Sequence, residues 1–180
     1  LRLGHRKSAD IDLFTNAPYG SLNFSLFEEF FNRHFDYCYR TDTSNIVGFG
    51  RSYFVGNSKD NNIKVDLYYH DEMIDPCDVI DNIRIASIND VVAMNIDMIS
   101  RTGRKKDFWD LHELLSVYSI SEMLDLHEKR YEYTHDRKQI IDNFTDFLTA
   151  DKDIDPVCLK DKIWELIKLD FVEQIENLKS

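Results

Sequence analysis

The sequence predicts a fold of the α/β (α+β) class, a strand-rich first half followed by an all-helical second half. Three observations lead there. Up to Ile85 the chain is built of short runs rich in β-branched and aromatic residues, punctuated by Pro, Gly and Asn. From Ser87 the apolar residues recur instead at helical spacing. A polar link, Asp71 to Asp78 with Pro76 inside it, precedes the last strand of the first half, and the pattern changes at Ser87, so the expected domains are 1–86 and 87–180.

The first stretch is Gly4-His5-Arg6-Lys7-Ser8-Ala9-Asp10-Ile11-Asp12-Leu13-Phe14. It reads as a tight basic turn running into a strand, because Gly4 interrupts an apolar start and Ile11, Leu13 and Phe14 supply strand-forming residues. Leu1-Arg2-Leu3 reads as the last turn of a helix closed by Gly4, with an upstream segment missing. Strand side chains alternate, so Asp10 and Asp12 share one face while Ile11 and Leu13 point into a core. Neighbouring carboxylates repel unless a positive charge lies between them, and a hard divalent cation such as magnesium is a common answer. Taken alone, the pair is better explained as a solvated edge strand.

Ser21 or Asn23 caps a helix carrying Leu26, Phe27, Phe30, Phe31 and His34, an aromatic stripe expected to cover a sheet. Strands are predicted over 37–41, 46–55 and 62–70, the last two joined by the turn 57–61. In the last, Ile63, Val65, Leu67 and Tyr69 face one way, leaving Asp66 on the non-core side of a central strand. One more strand is predicted over 81–85. Ser87 and Asp90 open a helix in the manner of a capping box, Gly103 ends it, and helices follow over 104–118, 121–133, 137–149 and 159–178. Asp151 to Pro156 reads as a linker.

At 180 residues, 43% hydrophobic and 31% charged, the chain can bury a core and is not of disordered composition. A formal charge of −11 argues against a general nucleic-acid coat protein, though not against a local basic pocket. No apolar run reaches the roughly 18 to 20 residues of a membrane span, and the first residues are not a signal peptide, so the expectation is a cytoplasmic protein with no membrane partner. Cys38, Cys77 and Cys158 fit reduced thiols with no metal role. The six histidines show no metal-ligand spacing and read as surface or helix-end residues. The nucleophile-elbow, P-loop and dinucleotide-binding motifs are absent.

A second informative stretch is Gly103-Arg104-Lys105-Lys106-Asp107-Phe108-Trp109-Asp110-Leu111. Asp107 and Asp110 share a helix face and Lys106 stands four before Asp110, while Phe108 and Leu111 look inward. A solvated salt-bridge ladder at a helix start accounts for this stretch when it is read alone.

Together, in order, these residues carry a resemblance. Gly4-His5-Arg6-x-Ser8-x-Asp10-x-Asp12-Leu13-Phe14, then Val65-Asp66-Leu67, Ala93-Met94 and Lys106-Asp107-x-x-Asp110-Leu111 resemble the AbiEii/AbiGii toxin-like nucleotidyltransferases of the DNA polymerase β-type superfamily. The resemblance spans about residues 1–115. It implies a nucleotidyltransferase-type mixed sheet with flanking helices, followed by a helical lobe, with a nucleoside triphosphate in the cleft between them. It implies Asp10, Asp12 and Asp66 as magnesium ligands and, with Lys106, as catalytic residues. Arg6, Ser8, Asp107 and Asp110 become nucleotide-binding residues. The implied reaction moves a nucleoside monophosphate from the triphosphate to a hydroxyl on RNA, tRNA included, or on protein. The implied setting is a toxin–antitoxin pair with an antitoxin protein as partner.

Two departures bear on this. A Gly-Gly-Thr-like segment expected just upstream of the Gly-His-Arg turn is absent from the chain, and Asn95 stands where family members commonly carry a lysine after Ala-Met. An amide does not replace an ammonium against a triphosphate, although Arg101, Arg104 or Lys105 can be offered as substitutes. The second expectation is therefore a catalytically degraded nucleotide- or partner-binding module. A metal-dependent nuclease is a weaker third.

Overall fold

The computed structural model describes residues 2–8, 10–41, 49–70 and 72–179. Contacts divide the chain into two units: Ser8–Glu72, and Leu1–Lys7 together with Met73–Ser180. The expected boundary at 86/87 differs, because the short hairpin over 78–85 groups with the helices and not with the sheet.

The first unit is a four-stranded mixed sheet and one helix. Strands β1 (Asp10–Thr15), β2 (Tyr37–Arg40), β3 (Gly50–Ser58) and β4 (Asn61–Tyr69) run in the order β1-β4-β3-β2. β1 lies parallel to β4, and the other pairs are antiparallel. The strand expected from Ile46 is described from Gly50 onward; Ile46 to Gly48 lie outside the described residues. At the β3–β4 turn, Asn61 N–H donates to Ser58 Oγ at 3.1 Å. Gly56 is required there, since an added Cβ would stand 2.2 Å from the Asn61 carbonyl oxygen.

Helix α1 (Phe24–His34) starts at Asn23, whose Oδ1 accepts from Ser25 N–H at 3.1 Å. Its Phe24 and Phe31 pack with Tyr53, Val55, Val65 and Leu67 into a core on one sheet face. The predicted stripe is only half right: Phe30 is 53% exposed and Leu26 lies on the outside as well, because 24, 27 and 31 form the inward face. Leu13, expected in the core, is 47% exposed. It sits on β1, an edge strand with a neighbour on one side only.

The second unit opens with a hairpin, β5 (Asp78–Ile80) and β6 (Ile83–Ile85), where a single strand over 81–85 was expected. Asp81 and Asn82 both take positive φ, 50° and 63°, as a two-residue hairpin turn demands; without glycine that signal is weak. Helices α2 (Ile88–Ser100), α3 (Lys105–Leu114), α4 (Ile120–Arg130), α5 (Arg137–Asn143) and α6 (Trp164–Lys179) follow. They enclose a core of Val92, Ile96, Ile99, Phe108, Trp109, Leu111, Met123, Leu124, Phe144, Ile167 and Phe171, among others. Each such side chain contributes about 1.5–3 kcal/mol on burial.

Tertiary partners trim these helices relative to their periodicity. α3 stops at Leu114 because Ser119 and Glu122 form a reciprocal capping box that restarts the chain as α4. α5 stops at Asn143, whose Nδ2 donates at 3.0 Å to the carbonyls of Ile99 and Ser100 at the end of α2. Residues 157–159 are drawn off as an extended segment beside His5–Lys7: Leu159 N–H donates to His5 O at 2.8 Å and Lys7 N–H to Val157 O at 2.9 Å. α6 therefore begins at Trp164. The 151–156 linker is docked, with Lys105 Nζ bonded at 2.8 Å to both Asp153 O and Asp155 Oδ1. Arg2 and Leu3 form no helical turn; Gly4 does take a positive φ of 59°.

Candidate functional site

Parallel pairing of β1 with β4 sets the first constellation. Asp12 lies in register with Asp66, and Asp10 with Lys64. Because register partners point to the same side, Asp10, Asp12, Lys64 and Asp66 share the sheet face opposite the α1 core. β4 is an interior strand, and Asp66 is only 5% exposed. Its Oδ2 accepts from Lys64 Nζ at 2.7 Å, while its buried Oδ1 has no hydrogen-bond partner among the described residues. Burial alone would lower the Lys64 pKa, but the Asp66 contact, with Tyr68 and Asp12 nearby, holds it above the ordinary lysine value. Ser8 Oγ donates to Asp10, at 2.9 Å to Oδ1 and 3.1 Å to the carbonyl oxygen.

A buried carboxylate oxygen without a donor is costly in a folded protein unless a water, an ion or a ligand atom meets it. The donor set, hard carboxylate oxygens from adjacent strands, has the chemistry magnesium requires. Among the described residues no three acids already converge to metal-ligand distance. One oxygen of Asp66 is instead committed to the Lys64 ammonium.

The second unit holds the remaining predicted residues. Asp110 on α3 accepts from Arg6 Nε at 2.5 Å, from Arg6 Nη2 at 2.7 Å and from His5 Nε2 at 2.8 Å. This two-pronged contact ties the Gly-His-Arg turn to α3. Burial opposes the charge on Asp110, but the Arg6 and His5 hydrogen bonds hold its carboxyl below the usual carboxylate range. Asp107 closes a capping box, accepting from Arg104 N–H at 2.8 Å and from its guanidinium at 3.1 and 3.2 Å. Lys106 sits in the first turn of the same helix, half-buried.

Asn95 Nδ2 donates to the Val91 carbonyl one turn back at 3.0 Å. The three cations offered in place of a lysine there are all engaged: Arg101 with Asp97, Arg104 with Asp107, and Lys105 with Asp153 and Asp155.

Some of the participating residues were misread or missed in the sequence. His5 is buried, not a surface group; His127 is buried too, though it stands at a helix end, in the last turn of α4. His127 Nδ1 faces His135 Nδ1 at 2.8 Å, a pairing eight residues apart with no spacing signal. Lys64 was passed over because an exposed lysine on a strand is ordinary; only the register set it beside Asp66. A cavity of about 460 Å³ in the helical unit is lined by Lys105, Asp151, Asp155, Trp164 and Lys168, whose cations are already neutralised. No helix among the described residues is long and apolar enough to cross a membrane.

A model of the family described as nucleotidyl transferase AbiEii toxin, type IV TA system, matches residues 1–177. Among solved structures, JHP933 from Helicobacter pylori is similar over 96% of this chain and 76% of its own, with 19% identity and a TM-score of 0.57. A second H. pylori structure, described as a "putative nucleotidyltransferase", aligns over 96% and 78% with 20% identity and a TM-score of 0.55. At such identities the likeness is one of fold. No curated protein matches the sequence.

Proposed function

We propose a reaction for a chain that belongs to the AbiEii nucleotidyl transferase toxin family of type IV toxin–antitoxin systems. This nucleotidyltransferase moves a nucleoside monophosphate, with magnesium, from a nucleoside triphosphate to a hydroxyl on RNA, tRNA among the candidates, or on protein, and an antitoxin restrains it. The observation that carries the reading is Asp66: a buried carboxylate on an interior strand, in register with Asp12, with one oxygen lacking a donor.

Asp10, Asp12 and Asp66 would hold the metal, which when bound supplies charge stabilisation for the triphosphate and its leaving pyrophosphate. Ser8 positions Asp10 through its hydroxyl. Arg6, anchored on Asp110 through Nε and Nη2 and bonded to the Lys7 carbonyl through Nη1, would meet phosphate oxygens, as the resemblance implies. Lys106 would add a positive charge, and Asp107 holds the start of α3 in which Lys106 stands.

The test is to incubate the purified protein with magnesium, each of four labelled triphosphates in turn and total RNA. Metal-dependent label transfer that Asp12→Ala abolishes is the expected result; transfer that survives Asp12→Ala overturns the assignment. A second reading has its own observation, the Asn95 amide turned back on Val91 with no uncommitted cation among Arg101, Arg104 and Lys105. On that reading the chain binds nucleotide without turning it over, and calorimetry detects binding where the transfer assay detects none.

A further inference from the structure

Among the described residues Lys64 is the cation bonded to the carboxylate on which the proposed reaction depends, and its placement is built in two ways. The register sets it opposite Asp10 on the carboxylate face, and alternation sets it on the same side as Asp66, two residues on. Its Nζ lies 2.7 Å from Asp66 Oδ2. The two ends of this pair differ: the Asp66 side chain is 7% exposed and fixed, whereas that of Lys64 is 38% exposed on a flexible four-carbon stem. A buried carboxylate needs a compensating charge, and an ammonium half in water can supply it or withdraw.

We infer that Lys64 is the resident counter-ion of the carboxylate site, neutralising Asp66 while the site is empty and displaced from it when a divalent cation binds. This rests on the reading of Asp10, Asp12 and Asp66 as the metal seat. A divalent cation and an ammonium on one carboxylate repel, so the cation gains its ligand only as Lys64 leaves. Two consequences follow. Metal binding without nucleotide is weakened by the competition, and the released ammonium is freed beside the site just as a triphosphate, with its excess negative charge, requires one. Lys64 is thus a positioning residue that couples metal loading to nucleotide loading, and it supplies the kind of charge that Asn95 does not.

The first experiment is calorimetric titration of Mn²⁺ into the nucleotide-free protein, comparing the unaltered chain with Lys64→Met and Lys64→Arg. Lys64→Met should bind Mn²⁺ at least about threefold more tightly and Lys64→Arg about as the unaltered chain does. Equal or weaker binding by Lys64→Met overturns the inference. Should that variant fail to fold, a second measurement needs no substitution: acylation of Lys64 by a water-soluble amine reagent, followed by mass spectrometry with and without Mn²⁺. The ion should raise Lys64 labelling, and unchanged or reduced labelling overturns the proposal. Mn²⁺ binding that is lost in Asp66→Asn but insensitive to Lys64 removes only this inference. Failure of every form to bind Mn²⁺ removes the metal seat as well.

Discussion

Asp66 in the sheet unit and Asp90 in the helical unit are both buried aspartates, and they are solved in opposite ways. Asp90 is completely buried and both its oxygens are saturated: Oδ1 accepts from Ile74 N–H at 2.8 Å and from Arg130 Nη1 at 2.5 Å, Oδ2 from Ser87 Oγ at 2.6 Å and Asp75 N–H at 3.3 Å. Among the described residues Asp66 has a single cation on one oxygen and no hydrogen-bond partner on the other. The helical unit repeats the first pattern at Asp107 and Asp110. Asp90 and Asp110 tie separate segments together and Asp107 fixes the start of its own helix, whereas one oxygen of Asp66 has no partner among the described residues.

The comparison can be broken most forcefully at Asp90. Asp90→Ala strands Arg130, 2% exposed, without its anion, and should cost about 3–5 kcal/mol in urea unfolding. Asp66→Asn should do the reverse: stability changes by under about 1 kcal/mol, since Lys64 simply returns to water. Nucleotidyl transfer should meanwhile fall at least about 100-fold in a labelled-triphosphate assay. A large stability loss for Asp66→Asn with activity retained would erase the distinction between the two acids.

Gly103→Ala tests the seam between α2 and α3. The residue has a φ of 45°, and a Cβ would lie 2.7 Å from Ile99 Cδ1 and 2.8 Å from Phe108 Cε2, so a loss of about 1–2 kcal/mol is expected in thermal unfolding.

Acid sharpens the contrast further within the helical unit. Burial, then the neighbouring His127, lowers the His135 pKa below its ordinary 6.5. The folded form therefore binds fewer protons than the unfolded one, and this stability is present above pH 6.5 and lost as pH falls through the folded value. Thermal midpoints should drop between pH 7.5 and 5.5, and His135→Gln should flatten that drop. Lys160 and Lys162 overcome burial to lower the Glu113 carboxyl to about 2. Its contribution, present above its ordinary 4.5, disappears only as pH falls toward that lower value. The smallest effect belongs to Phe30→Ser, which should shift stability by no more than about 0.5 kcal/mol, since the residue is 53% exposed despite belonging to the aromatic stripe.

Much of the architecture was legible from local patterning. Alternation put Asp10 and Asp12 on one face and Asp66 on the polar side of its strand; the Asn23 cap, the Ser87 start and the Gly103 stop all stand where the sequence places them. These features depend on neighbours within a few residues, which is the range over which periodicity, capping and turn chemistry act. The motif order that carries the family resemblance is likewise a property of the chain alone.

What only the tertiary structure decided is pairing. Nothing in the sequence says that Asp12 stands opposite Asp66 and Asp10 opposite Lys64, that Asp110 clasps His5 and Arg6 across more than a hundred residues, or that 157–159 lies extended beside the Gly-His-Arg turn. Such contacts are chosen by the sum of burial over many elements, and the electrostatic value of each acid follows from that choice. Sequence marked out the candidate residues; register and burial left Asp66, and not Asp107 or Asp110, with an oxygen that has no hydrogen-bond partner among the described residues.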